Sequence, residues 1–279
     1  MARKRPLCSF TSDFGLRDPY VGVVKAVMLA ICPDCAIVDV THDVAPQNVA
    51  EAAFLTRQAW PYFRKGTIHL AVVDPGVGTE REAVAVRTPR GFAVGPDNGV
   101  LSAALDEALA ADRGEVAAYS QALRQIPLPT GCDARTIRSE QVVRREPSAT
   151  FHGRDIFGPA AAWLAAGLPF AELGPRLDRL WYLPAAQAQR TAEGLRGVVL
   201  HVDHFGNLIT SIRSVDLPAC AEALEAAGLR LTLVRTYVDQ PDLCALVGSG
   251  GYLEIALPNG SAAAALNAGT GLEVSVTLR

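Results

Sequence analysis

Residues 72–86 read VVDPGVGTEREAVAV. Two apolar runs, 68–73 and 83–86, flank a glycine-rich bend that opens on Asp74-Pro75-Gly76. β-Branched residues on either side of a Pro/Gly cluster predict strand, bend, strand. The bend carries a carboxylate, Asp74, and a guanidinium, Arg81, at the mouth of two buried strands, where an α/β protein usually keeps its chemistry. Asp-Pro-Gly is also ordinary turn chemistry, with Asp capping the bend and Pro fixing φ. GVGTER is no phosphate loop, because it lacks the Gly-Lys-Ser/Thr ending that holds phosphate and magnesium.

Outward from the bend, strands alternate with helices. Residues 7–12 predict a first strand ending in TSDFG, and Asp18-Pro19 predicts a helix start with Asp as N-cap. Tyr20, Val24, Val27 and Ile31 recur at helical spacing, and Pro33 stops the helix. A second strand spans 36–40, and Asn48 with Glu51 predicts a capped helix running to about Trp60. After the bend come a short strand at 92–95, the turn GPDNG and a helix over about 101–111. This alternation predicts βαβ units and a largely parallel sheet, with Asp13, Asp74 and Asp97 at one edge. Residues 112–148 read as an insertion or loop, partly mobile. TFHGRDIFGP then leads into an Ala-rich helix ending near Gly167.

Past Arg190 the texture changes. Strands are predicted at 197–202, 208–212, 231–238, 252–257 and 272–278, with one helix around 219–227. The fold class expected is an N-terminal α/β domain, residues 1–185, followed by a smaller antiparallel β-barrel domain, residues 192–279.

Composition bounds the function. Nearly half of the 279 residues are apolar and a fifth are charged, so a sizeable core forms and disorder is not expected. The net charge of −3 argues against non-specific nucleic-acid binding. No apolar run approaches the roughly 20 residues of a membrane span. MARKRPLCSFTSDFG has no apolar signal core, so a cytoplasmic location with reduced cysteines is expected. Cys32-Pro-Asp-Cys35 closes a predicted helix instead of opening one, and no second pair supplies zinc ligands. Neither redox chemistry nor a metal is expected there.

TSDFG, VVDPGVGTER, GPDNGVLS, FHGRDIFGPAAA, VDHFGNLITSI and GYLEIALPNGSAAAAL stand in order along the chain. Together they resemble the S-adenosyl-L-methionine (SAM) hydrolases that release adenosine, also called SAM hydroxide adenosyltransferases. These are relatives of the fluorinating and chlorinating enzymes. The resemblance covers roughly residues 7–110 and 149–279. It implies an α/β domain joined to a β barrel, and a homotrimer with substrate held between one subunit's N-domain and its neighbour's C-domain. It implies no cofactor and no metal, SAM being the substrate.

The resemblance also implies roles. Asp74, Arg81 and His152 surround the attacking water, with the formal base left open. Asp13 matches the carboxylate that takes the ribose hydroxyls, and Asp203 and Asn207 match the holders of the methionine ammonium and the adenine edge. Phe151 and Phe205 resemble aromatic walls of the nucleoside site. Ser249 stands where methionine's carboxylate is gripped, and the backbone near Asn259 where adenine is met. The halide-using relatives carry a Ser where Gly153 stands, a Tyr where Asp74 stands and an aromatic where Gln47 stands. These departures favour water over halide, and Gly250 lacks the side chain that some relatives place near the methionine carboxylate. The alternatives are a halogenase of the same superfamily and a non-catalytic SAM- or adenosine-binding module. A methyltransferase is disfavoured, since TSDFG supplies only one Gly after the first strand.

Overall fold

A computed structural model describes residues 5–113, 122–219 and 221–277. The chain forms two compact units, the first ending at Pro184 and the second beginning at Ala185, apart from a short segment at 117–121 that lies outside the described residues.

The first unit is built on one mixed sheet. Its elements are β1 (Leu7–Ser12), α1 (Tyr20–Ile31), β2 (Ala36–Thr41), α2 (Val49–Ala59), β3 (Thr67–Val72), β4 (Ala83–Arg87), β5 (Gly91–Pro96), α3 (Ala103–Arg113), β6 (Arg124–Pro127), β7 (Asp133–Thr136), α4 (Gly158–Ala166), β8 (Arg176–Leu177) and β9 (Arg179–Tyr182). The strand order is β2-β1-β3-β5-β4-β7-β8. β2, β1, β3 and β5 are mutually parallel, whereas β4 runs antiparallel to β5 and to β7. Thus the carboxyl ends of four strands and the amino end of β4 share one edge. That edge holds Asp13, Asp74 and Asp97, and Arg81 enters it from the other limb of the bend.

Each face of this sheet has its own core. Phe10, Leu70 and Val94 pack with Val24 and Met28 of α1 and Ala161 of α4, and with Phe157 just before α4, all with little or no exposure. Val73, Val84, Val86 and Ala93 pack on the other face against Ala52 of α2 and Leu105 of α3. β3 is buried at all six positions, as expected for a strand covered on both faces. α4 closes against α1 through Gly158, where a Cβ would stand 3.0 Å from Val24.

Two local readings change in this unit. α1 has Pro19 as its N-cap with no side-chain cap, so Asp18 does not play the capping part expected of it. Residues 122–148 are not a structureless loop: β7 extends the main sheet beside β4, and β6 pairs with β9. The remainder of that expected insertion, 114–121, lies outside the described residues. The two strands that flank the bend, β3 and β4, are not neighbours in the sheet, because β5 lies between them.

The second unit contains β10 (Gln189–Thr191), β11 (Gly194–Val202), β12 (Leu208–Arg213), β13 (Ala223–Ala226), β14 (Leu229–Thr232), β15 (Cys244–Val247), β16 (Tyr252–Ala256), α5 (Ala262–Leu266) and β17 (Glu273–Thr277). The sheet runs β14-β13-β17-β11-β12-β16-β15 with antiparallel neighbours. A bridge between Leu233 and Ala245 brings its two ends together, so the sheet curls into a nearly closed barrel. Leu195, Leu208, Ile212, Leu224, Leu253 and Ile255 fill it. The helix expected around 219–227 is instead the β13–β14 hairpin. Ala227 and Gly228 both have positive φ (50° and 77°), the geometry of a tight hairpin turn, and Leu224 and Ala226 point into the barrel. The strand expected at 231–238 stops at Thr232, and Tyr237–Asp239 is a single helical turn capped by Thr236.

Candidate active site

The bend leaves β3, passes over the end of β5 and enters β4. Asn98 Nδ2 donates to Val73 O (2.9 Å) and the Asp97 N–H to Glu82 O (3.0 Å), so both limbs are tied to the turn that follows β5. Inside the bend the Val77 N–H donates to Asp74 O (3.2 Å) and the Thr79 N–H to Gly76 O (3.1 Å). Gly78 has φ 79°, and a Cβ there would lie 2.6 Å from the carbonyl oxygen of Ala149, so glycine is required twice over.

This loop turns Asp74 and Arg81 toward each other. Arg81 Nε donates to Asp74 Oδ1 and Oδ2 at 2.9 and 3.0 Å, and Nη2 donates to Oδ2 as well. Both side chains are nearly buried, 6% exposed for Asp74 and 11% for Arg81. The guanidinium lies 5.0 Å over the Phe157 ring. Arg81 Nη2 also stands 2.6 Å from His152 Nδ1.

A guanidinium has only donors. His152 Nδ1 therefore accepts from Arg81, and the neutral ring carries its proton on Nε2. Burial, then the Arg81 charge, holds the His152 pKa below the ordinary 6.5, against the opposing pull of Asp74 and Asp155. The imidazole is thus a neutral Nε2–H donor at pH 7. It sits just ahead of a π-helical turn, Gly153–Phe157, closed by the Gly158 N–H donating to Gly153 O. Such turns re-aim side chains within helices.

Asp13 follows β1, and its Oδ2 accepts the Gln47 N–H at 2.8 Å. The same turn is tied to the loop after β2: Ser12 Oγ bonds His42 Nδ1 (2.7 Å), and the Gly15 N–H donates to His42 O (2.7 Å). Phe151 packs edge-on to Phe14 and Tyr20, with ring centroids 5.8 and 5.3 Å apart. Gly153 fits beneath this cluster, since a Cβ there would stand 3.0 Å from the Phe14 ring.

The other expected residues stand in the second unit. Asp203 Oδ1 accepts the N–H groups of Phe205 (2.9 Å) and Asn207 (2.8 Å), and Oδ2 accepts Asn207 Nδ2 (2.9 Å). Asp203 thereby shapes its own turn, leaving Phe205 73% exposed. Phe205, Asn207 and Asn259 line a pocket of about 940 Å³ together with Tyr237, Val238 and Ser261. Asn259 has φ 58°, in the left-handed region. Ser249 does not line this pocket; it is exposed in the turn between β15 and β16.

Tyr237 and Glu254 did not stand out in the sequence. Tyr237 Oη donates to Glu254 Oε1 at 2.7 Å, and this bond and burial push the phenol up to about 12. Burial pushes the Glu254 carboxyl up, with Asp203 adding to it and Tyr237 opposing. Glu254 lies within the quoted GYLEIA stretch, where strand alternation alone would have read it as outward-facing. Among the described residues no group of three or more His, Cys, Asp or Glu could hold a metal ion. Cys35 reaches the Cys8 thiol at 3.3 Å inside the core, away from the Asp74 bend.

The chain is thus an α/β unit with an Asp-Arg-His cluster at the carboxyl edge of its sheet, followed in sequence by a β-barrel unit. Residues 8–174 match the SAM hydroxide adenosyltransferase N-terminal domain and residues 197–275 the C-terminal domain of the same family. The chain belongs to the SAM hydroxide adenosyltransferase family. It is 41% identical to an (R)-S-adenosyl-L-methionine hydrolase of Thermus thermophilus, covering 95% of this chain and 97% of that one. A hydrolase of the same name from Salinispora arenicola is 37% identical, with 98% of each chain covered. A fluorinase of an Actinoplanes species is 29% identical over 99% of each. The fold also matches the crystal structure of an uncharacterized conserved protein from Thermotoga maritima, with TM-score 0.82, 32% identity, and 97% of this chain and all of that one covered.

Proposed function

We propose that this protein hydrolyses S-adenosyl-L-methionine to adenosine and L-methionine. Water attacks the ribose C5′. A carbon–oxygen bond forms, the carbon–sulfur bond breaks, and its electron pair leaves with methionine as a neutral thioether. No general acid is needed for that leaving group. The demand falls on the nucleophile, which must be aligned and must lose a proton.

The observation that carries the reading is the Arg81 guanidinium shared by Asp74 and His152. Arg81 is a donor only, and His152 has its Nδ1 occupied and its Nε2 protonated. Asp74 is the anion of the cluster with lone pairs to spare, and it takes the water's proton. His152 Nε2–H orients the oxygen. Asp13 accepts the ribose hydroxyls, and Phe151 walls the nucleoside. Asp203, Phe205, Asn207, Ser249 and the backbone near Asn259 hold the methionine and adenine ends.

The names of the hydrolase relatives point to the (R)-sulfonium epimer as substrate here too. We also propose a cytoplasmic, cofactor-free homotrimer with sites at subunit interfaces. The test is to incubate the purified protein with each SAM epimer and follow adenosine and methionine by chromatography. Adenosine from the (R) epimer is expected. No turnover of either epimer would overturn the reading, and halide-dependent formation of a 5′-halogenated nucleoside would replace it with the halogenase.

A further inference from the structure

The segment 142–149 has no part in the mechanism above, yet it is fastened at both ends. The Arg144 N–H donates to Asp155 O (3.0 Å), and the Ser148 N–H donates to Asp155 Oδ2 (2.9 Å). Arg144 Nε lies 3.2 Å from Asp155 Oδ1. At the far end, Ala149 O rests against Gly78 in the Asp74–Arg81 bend. The segment is a strap from the π-turn to the bend.

Asp155 is its anchor. Its side chain is 0% exposed. Arg154 grips it with two bonds of 2.7 Å, one to each carboxylate oxygen. Burial pushes this carboxyl up, but Arg154, the Ser148 N–H and Arg144 outweigh it and hold it below the usual range. Arg154 also lies 5.1 Å over the Phe151 ring. A buried, ionised carboxylate with two arginines stands three residues after His152. Capping a helix start would need neither that burial nor that charge.

We propose that Asp155 is the positioning residue for His152: by pinning the strap to the π-turn, it holds the imidazole where Arg81 can donate to Nδ1. The role rests on the reading of His152 as part of the water site. Loss of the pin lets the ring swing from Arg81 toward solvent.

The test uses Asp155→Asn and Arg144→Ala in the full-length protein. The His152 Cε1–H titration is followed by NMR without substrate, and turnover and KM are measured for SAM. For Asp155→Asn the expected result is a His152 midpoint that rises toward the ordinary value, with kcat lower by about 10- to 100-fold and KM within about twofold. A purely electrostatic role predicts the opposite shift, because removing the anion alone lowers the midpoint. An unchanged or lowered midpoint overturns the proposal. A raised midpoint with wild-type kcat upholds the positioning and removes His152 from the water site instead. Should Asp155→Asn fail to fold, Arg144→Ala, on a half-exposed side chain, carries the test with the same signs and a smaller loss, about 3- to 10-fold. Wild-type midpoint and kcat in that variant would then overturn the proposal.

Discussion

Arg81 sits 2.6 Å from His152 Nδ1, and because a guanidinium cannot accept, that one contact sets the imidazole's tautomer. The same guanidinium holds Asp74 through Nε. Charge alone would not do this; two divergent N–H directions are needed.

Arg81→Lys keeps the charge and loses the fork. We expect kcat to fall by about 100-fold or more while SAM binding is kept, since on the proposed mechanism the group acts on the nucleophile rather than the substrate. Titration with SAM beside single-turnover adenosine formation measures both. Turnover within threefold of wild type would contradict the shared-donor role.

Acid should inactivate the enzyme below the ordinary histidine range. The folded state disfavours His152 protonation through burial and Arg81, so its pKa is depressed. That contribution to stability is present above the unfolded pKa and is lost as pH falls through the folded one. A protonated Nδ1 would also face the Arg81 donor and break the cluster. We expect an acid limb in kcat with its midpoint below 6.5, absent from the residual activity of His152→Asn.

Asp97 gives the opposite sign. Burial, with Glu82 nearby, raises its carboxyl to about 6, although the Trp181 N–H bonded to it pulls the other way. Its share of stability is complete below about pH 4, the unfolded value, and is lost as pH rises through about 6. Asp97→Asn keeps an acceptor for Trp181 and removes the buried charge. Its melting temperature should exceed wild type at pH 8 and match it near pH 4. Equal melting curves at pH 8 would refute this.

Gly153→Ser installs the side chain of the halide-using relatives. Its Cβ would press on the Phe14 ring, 3.0 Å away, and through it on Phe151. We expect weaker SAM binding and slower hydrolysis, without halide incorporation, because on the proposed mechanism Asp74 and Arg81 still occupy the place of the nucleophile. Fluoride- or chloride-dependent product from this single variant would show that the pocket is set by that position alone.

Much of this was legible in the chain. The run 72–86 carries both its strand signals and its charge pair within one short window, and β1, β3, α2 and α4 announce themselves by apolar period and caps. What was not legible depended on distant partners. The residues EALEAAG have helical propensity, yet pairing with β17 and the Ala227-Gly228 turn makes 223–226 a strand. Residues 124–136 hold two short strands whose apolar positions are few, so only pairing with β4 and β9 defines them. Asp155 looked like one more charge in FHGRDIFG until its burial was seen. Tyr237 and Glu254 meet across 17 residues of chain, a distance that periodicity does not bridge.

Seven residues separate Asp74 from Arg81, but seventy-one separate Arg81 from His152. Closing the first loop costs little chain entropy, while the second contact exists only when the π-turn and its helix are docked. We expect the ion pair to outlast its histidine contact on heating, so that, on the proposed mechanism, thermal inactivation runs ahead of melting; turnover and melting followed on one temperature scale would check this.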